Sequence, residues 1–136
     1  MSECAARLRG MLGNDPFAQL IGAEFVDGED GHAVVAMTVG DTHLNFLGGG
    51  HGGAVFTLAD IAFGLASNSH DKICIGIDAH IAFVRGVVSG DQLLAEAREV
   101  SRSRKTAVYR VDVTRHNTII AAFTGTVHIS GRDHGT

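Results

Sequence analysis

The stretch GAVFTLADIAFGLASNS, residues 53–69, decides the fold. It is too long for a typical strand and is rich in alanine and leucine, so it predicts a helix. Apolar residues occupy every side of that helix, which is typical of a helix buried all round. Asp60 is its only charged residue. The rest of the chain must therefore supply the layers that cover this helix.

The sequence on either side of the central helix favours strands, because apolar and polar residues alternate there. A short helix at about residues 3–12 comes first, with one more turn at residues 17–20. Strands are expected at residues 22–26, 32–39, 72–83, 92–100, 106–114 and 119–129, followed by a frayed tail at about 131–136.

This order, α-β-β-α-β-β-β-β, predicts an α+β protein. Short turns join the last four strands, so these are expected to be antiparallel neighbours. A curved antiparallel sheet wrapped around one central helix is the hotdog architecture. We expect residues 1–136 to form a single domain of this kind, with one helix face left to pack against a second copy.

Composition excludes several classes of protein. The 136 residues include 11 basic and 15 acidic ones, for a net charge of −4, which is not the footprint of a nucleic-acid-binding protein. Cys4 and Cys74 are far apart and outside any CxxC motif, which argues against a disulfide framework. Neither a secretory signal nor a membrane-spanning apolar run is evident, so we expect a cytoplasmic protein without membrane partners.

Glycines surround the predicted start of the central helix, in Gly48-Gly49-Gly50-His51-Gly52-Gly53. They allow close approach to the first helical N–H groups, which lack intrahelical partners and carry partial positive charge. Such an end can hold an anion or a developing oxyanion. The alternative interpretation is a flexible loop, and the motif is not a P-loop, since no Gly-Lys-Ser/Thr follows.

Asp60 is the stronger signal, because a lone carboxylate on an apolar helix is costly to bury without a partner. It is either a functional group or a structural hydrogen-bonding group at a subunit interface. Gly52 and Asp60 are eight residues apart, about 12 Å along a helix. One reacting carbonyl cannot contact both within one subunit, so joint action requires two antiparallel helices in a dimer.

Other polar residues have two interpretations each. His51 can donate a hydrogen bond to a carbonyl or cap the helix, and Asn45 can position a water or hold the loop. The eight histidines show no HxH, HxxxH or HExxH spacing, so no metal site is predicted. If the substrate carries phosphates, the candidates to bind them are Arg102, Arg104, Lys105 and, more weakly, Arg85.

With these residues identified, the sequence resembles the hotdog-fold acyl-CoA thioesterases of the phenylacetic-acid-degradation (PaaI-like) group. The stretch HLNFLGGGHGGAVFTLADIAFGLASNS is similar to that family's Asn-x5-His-Gly-Gly-x6-Asp signature. It supplies Asn45, His51, Gly52, Gly53 and Asp60 at the family's spacing. The resemblance extends more loosely over about residues 15–130.

The resemblance implies a role for each matched residue. Asp60 would be the general base or nucleophile, and the Gly52 N–H would hold the oxyanion across a dimer interface. His51 would orient the carbonyl, Asn45 would position water or the carboxylate, and Gly53 would line the substrate site. The family implies no metal or redox cofactor, an acyl-CoA substrate, and dimers that commonly pair into tetramers.

Two positions depart from the family pattern. Gly76 stands where relatives often have Ser or Thr, so a hydroxyl contact to the attacking water would be missing or supplied elsewhere. Gly86 follows Arg85 where proline is common, which leaves the role of this segment along the pantetheine path open.

The sequence leaves three candidate functions. The first is hydrolysis of a small or aromatic acyl-CoA to the free acid and CoA. The second is a hotdog acyl-thioester hydratase or dehydratase, in which His51 and Asp60 would move a proton at carbon; the motif spacing argues against it. The third is a non-catalytic acyl-CoA-binding protein, for which Asp60 would be unnecessary.

Overall fold

The computed structural model describes residues 1–135 and packs one six-stranded antiparallel sheet on the central helix. The helices are α1 (Glu3–Gly13), α2 (Pro16–Ile21) and α3 (Gly52–Ser67). The strands are β1 (Glu24–Glu29), β2 (His32–Thr38), β3 (Lys72–Phe83), β4 (Gln92–Arg102), β5 (Thr106–Arg115) and β6 (Thr118–Asp133). The hotdog prediction is confirmed, and the turn expected after α1 is the helix α2.

Local sequence explains where the N-terminal helices begin and end. The Ser2 side chain accepts a hydrogen bond from the Ala5 N–H at 3.0 Å and caps α1. Asp15 caps α2 in the same way, and Pro16 occupies the first turn, where its missing N–H costs nothing. Gly22 then ends α2 with a φ of 79°, a left-handed conformation that favours glycine.

The core lies between α3 and the inward face of the sheet. Alternate residues of β2, β4, β5 and β6 point inward, as the sequence pattern predicts for all four strands. Phe63 of α3 packs edge-on against Tyr109 and at a tilt against Phe123, with ring centroids 6.0 and 5.4 Å apart. A Cβ on Gly125 would lie 2.8 Å from the Phe63 ring, so only glycine allows the helix this close to β6. These contacts fix the position of α3 on the sheet.

The strand order corrects one prediction. The order is β1-β2-β4-β5-β6-β3, so β3 pairs with β6 and is not a neighbour of β4. The segment after β3 first stays hydrogen-bonded to β6, because the N–H groups of Val84 and Arg85 both donate to the Ile120 carbonyl. The chain then crosses the sheet end before β4 begins.

The predicted tail is also too long. Residues up to Asp133 belong to β6, since Lys72 pairs with Asp133 in the sheet and their side chains form a 2.7 Å ion pair. The His134 N–H then donates to the Asp71 carbonyl. The last residues of β6 gave no sequence signal, because the strand that they pair with, the start of β3, lies 61 residues away.

β3 forms one edge of the sheet, and its outer side has no strand partner within residues 1–135. Ile75 and Ile77 on this edge are 51% and 60% exposed.

The helix α3 is not buried on every side, which corrects the prediction from the sequence. Gly53 and Asp60 are exposed in the protomer. No helix in residues 1–135 has the length and apolarity required to cross a membrane.

Candidate active site

The loop before α3 is held in place by its own hydrogen bonds. The Asn45 carboxamide oxygen accepts from the N–H groups of Leu47 and Gly49, at 2.9 and 3.2 Å. The Gly50 N–H donates to the Val87 carbonyl at 2.8 Å. A Cβ on Gly50 would lie 2.1 Å from a Val87 methyl group, so glycine is required here. Asn45 therefore shapes the loop that leads into the helix.

His51 caps α3 through its ring. Its Nδ1 accepts a hydrogen bond from the Gly53 N–H at 2.8 Å, which places the proton of the neutral ring on Nε2. A Cβ on Gly53 would lie 2.9 Å from Nδ1, so the cap needs glycine at that position. The first helical N–H, that of Gly52, has no acceptor within residues 1–135. The helix start thus presents one free backbone donor beside one imidazole Nε2–H.

Gly52 opens into a cavity of about 290 Å³. Arg85 belongs to the same cavity and donates to the Ile119 carbonyl at 2.8 Å, which fixes its guanidinium. The walls are Gly50, Gly52, Val55, Phe83, Val84, Arg85, Gly86 and Val87.

Asp60 opens into a different and larger cavity, of about 610 Å³. Asp60 is open to solvent on one side, but the neighbours that partly desolvate its carboxyl raise the pKa above its ordinary value, and the charge of Asp15 raises it further. No hydrogen-bond donor of residues 1–135 contacts the Asp60 carboxylate. The walls of this cavity are Met11, Asp15, Phe17, Phe56, Thr57, Asp60, Ile61, Gly64, Leu65, Asn68 and His134.

The structure separates the predicted phosphate-binding residues. Arg85 lies beside Gly52, whereas Arg102 lies near the opposite end of α3, in another cavity, and forms a 3.6 Å ion pair with Glu99. Arg104 and Lys105 are exposed in the turn between β4 and β5. Neither the Gly52 cavity nor the Asp60 cavity contains any of these last three residues.

Gly76 faces the aromatic core. A Cβ at this position would lie 3.2 Å from the Phe63 ring. A Ser or Thr side chain at this position would therefore begin in tight contact with the Phe63 ring, which would have to shift by a few tenths of an ångström.

Sequence reasoning missed Asp15, Phe17, Phe56 and His134 as walls of the Asp60 cavity. In the sequence, the Asp15-Pro16 pair indicated only the end of the first helix, and His134 fell in the presumed tail. Burial lowers the pKa of the His134 imidazole, and nearby Arg7 lowers it further. The Nε2 atom of His134 is buried without a partner among residues 1–135.

Sequence comparison places residues 47–122 within the model of the thioesterase superfamily. The acyl-coenzyme A thioesterase PaaI of Escherichia coli K12 is 35% identical over 122 residues, which cover 89% of this chain and 87% of that one. The solved structure of the E. coli PaaI protein is 34% identical, with a TM-score of 0.88, and the match covers 91% of each chain.

Two further solved structures are similar. A mutant of the phenylacetic acid degradation protein PaaI of Thermus thermophilus is 39% identical, with a TM-score of 0.83, over 85% of this chain and all of that one (100%). The smu.793 protein of Streptococcus mutans UA159, bound to acetyl CoA, is 33% identical, with a TM-score of 0.79, over 83% of this chain and 92% of that one. The chain therefore belongs to the thioesterase superfamily, as a PaaI-like acyl-CoA thioesterase with the hotdog fold.

Proposed function

We propose that this thioesterase hydrolyses a small or aromatic acyl-CoA at a site shared by two subunits. Asp60 of one subunit is the general base or nucleophile, and the Gly52 N–H of the other is the oxyanion donor. The observation that carries the proposal is the division of these groups between two cavities of one protomer. Each cavity holds half of the machinery that thioester hydrolysis needs.

The geometry of α3 supports a shared site. Gly52 and Asp60 lie on the same helix, eight residues or about 12 Å apart. Two α3 helices packed antiparallel place the start of one beside the middle of the other. The long edge of β3 supports the same dimer, because an exposed apolar edge is a template for pairing with another chain. Ile75 and Ile77 would be covered by that pairing. Pairing of two such dimers is consistent with the family resemblance.

The proposed reaction on the general-base route balances as follows. Asp60 takes a proton from water, and the water oxygen bonds to the thioester carbonyl carbon while the C=O π pair moves to oxygen. The Gly52 N–H stabilises that oxyanion. When the intermediate collapses, the C–S bond breaks, its electron pair leaves with sulfur, and the proton on Asp60 passes to the CoA thiolate.

The neighbouring polar groups complete this assignment. The His51 Nε2–H donates to the same carbonyl oxygen, since Nδ1 is occupied by the helix cap. Asn45 contributes by fixing the loop, and its amide nitrogen is the group that would orient the water. Gly53 contributes the space that lets the imidazole pack against the helix start. No metal or redox cofactor takes part in this scheme.

The two cavities and the relatives support the proposed substrate class. Aromatic and aliphatic side chains line the Asp60 cavity, which suits a small or aromatic acyl group. The E. coli relative is an acyl-CoA thioesterase, and the S. mutans relative holds acetyl CoA, which supports CoA as the carrier. Arg85 is placed to bind a CoA phosphate beside Gly52 of its own subunit.

The basic cluster of Arg102, Arg104 and Lys105 fits the same site only across the dimer. Arg102 pairs with Glu99, whose N–H donates to the Gly31 carbonyl. The Gly31 N–H in turn donates to the hydroxyl of Ser69, just beyond the C-terminal end of α3. Antiparallel packing of two α3 helices brings this end of one subunit toward the Gly52 end of its partner. The cluster is then a second candidate for the CoA phosphates.

The test is thiol release, followed with a thiol-reactive dye, from short, medium and aromatic acyl-CoAs. Wild type is run beside Asp60→Asn and Asp60→Ala, with circular dichroism to check folding. We expect one acyl class to be turned over and the folded variants to lose about 10²–10⁴-fold in rate. Wild type that binds thioesters and releases no thiol would contradict the proposal and favour an acyl-CoA-binding protein.

A further inference from the structure

The N-terminal helix α1 runs alongside α3 in the opposite direction. The Arg7 guanidinium of α1 donates to the Asn68 carbonyl at 3.2 Å and to the Ser69 carbonyl, both at the C-terminal end of α3. Met11, one turn further along α1, lines the Asp60 cavity. Asp15, at the start of α2, lines the same cavity. A second carboxylate therefore stands in the cavity that holds the proposed base.

The Asp15 side chain is fixed by its capping role. Its Oδ1 accepts from the Ala18 N–H at 3.0 Å, and Pro16 restricts the backbone at the same point. The other oxygen, Oδ2, has no donor within residues 1–135. The half-buried carboxylate is thus held by one oxygen and keeps the other for the cavity.

We propose that Asp15 is a positioning residue for thioester hydrolysis, whose charge makes Asp60 a stronger acceptor for the proton of the attacking water. This inference rests on the role proposed above for Asp60. Asp15 lies outside the signature stretch from Asn45 to Asp60, at the start of α2.

The charges around the cavity support this role. The charged or titratable walls within residues 1–135 are Asp15, Asp60 and His134. His134 lies at the Asn68 end, and its lowered pKa favours the neutral ring. Arg7 also lies at that end, held by the carbonyl groups there. The residues that the sheet packs against α3 are mainly apolar, and the phenol of Tyr109 donates to Glu99. Asp15 is therefore the charge that acts most directly on Asp60.

The chemical consequence is a favoured proton transfer. When Asp60 is ionised, two like charges share a partly desolvated cavity, which raises the pKa of the Asp60 carboxyl. The transfer of a proton from water to Asp60 removes one of these charges from the neighbourhood of Asp15. A base with a higher proton affinity is a better catalyst as long as it stays ionised at the working pH.

The test compares Asp15→Asn with wild type in kcat, KM and their pH dependence, using the best acyl-CoA of the panel. Asparagine caps helices as well as aspartate does, so α2 is expected to remain folded. We expect kcat to fall about threefold, with KM unchanged and the acid limb of the profile displaced to lower pH. The matched control is Asp27→Asn, an exposed carboxylate that also accepts from one backbone N–H, that of Gly28 at 2.8 Å.

A second readout is independent of turnover. The Asp60 carboxyl carbon is followed by ¹³C NMR and assigned by its loss in Asp60→Asn. We expect its titration to move to lower pH in Asp15→Asn and to stay in place in Asp27→Asn. An unchanged Asp60 titration and an unchanged rate profile in folded Asp15→Asn would overturn this inference alone. Full activity of Asp60→Asn would instead overturn the proposed function on which it rests.

Discussion

The two halves of α3 differ in how far their polar side chains are held by hydrogen bonds within one protomer. At the helix start, His51 is held by its cap, Gly53 donates to it, and the preceding loop is hydrogen-bonded throughout. At the middle of the helix, Asp60 lies open and has no hydrogen bond within residues 1–135. In the mechanism proposed above, the oxyanion half of the site is therefore preorganised inside each subunit, whereas the carboxylate half is completed by the partner.

Among changes at the helix start, the largest expected effect comes from removing the free donor. Gly52→Pro deletes the N–H, and proline suits the first helical position. His51 already has an extended backbone, with φ −72° and ψ 130°, which proline tolerates in the preceding residue. We expect kcat to fall about 10²–10³-fold, as for loss of one oxyanion donor. Steady-state thiol release measures this.

Gly52→Ala is the control, because alanine keeps the N–H and adds a Cβ only 3.2 Å from the Phe83 ring. It should retain much more activity than the proline variant. Equal losses in both variants would show that crowding against Phe83, and not loss of the Gly52 N–H, lowers the activity.

The next effect concerns the rigidity of the loop. Gly50→Ala places a Cβ 2.1 Å from a Val87 methyl group and 3.0 Å from the Val87 carbonyl oxygen, so the loop must shift. We expect a loss of about 1–3 kcal/mol in unfolding free energy, together with reduced activity. Urea denaturation and thiol release measure both.

Gly49→Ala is the matched control, since its nearest contact is 3.9 Å from the Val87 carbonyl oxygen, an ordinary van der Waals distance. It should change neither quantity appreciably. If both variants behave alike, close packing at Gly50 does not shape the helix start.

The pH dependence of activity tests the role of Asp60 in the exposed middle of α3. The proposed mechanism requires ionised Asp60, and the raised pKa of this carboxyl means that ionisation is lost at a higher pH than for an ordinary aspartate. We therefore expect activity to fall, as pH decreases, above the ordinary range of aspartate titration. A rate profile on the acid side measures this, and an acid limb at or below that range would contradict the raised pKa.

The smallest expected effect is on stability. Because the folded pKa of Asp60 is raised, ionised Asp60 opposes folding at pH values above that pKa, and this penalty disappears once the group is protonated in both states. Asp60→Asn should therefore raise Tm slightly at pH 8 and leave it unchanged near pH 3. Thermal melts at the two pH values measure this, and a lower Tm at pH 8 would indicate a structural role for the carboxylate.

Local pattern was enough to predict the helix over α3, the full length of β3 and the residues at the helix start. The pairing of β3 with β6 was missed because it depends on where the link after Phe83 is held, by two hydrogen bonds to Ile120. Asp15 and His134 were missed because a cavity wall built from distant segments has no local sequence signature. The cluster at Arg102 was grouped with Arg85 by charge alone, and the fold places them near opposite ends of α3.

Subunit mixing asks whether Gly52 and Asp60 act from different subunits, as the proposed dimer requires. Gly52→Pro and Asp60→Asn, each nearly inactive alone, are co-expressed with different affinity tags or refolded together in equal amounts. Random pairing gives half heterodimers, each with one intact site, so about a quarter of wild-type activity should return. If the mixture stays as inactive as its components while heterodimers form, both groups act within one subunit and the shared site is wrong.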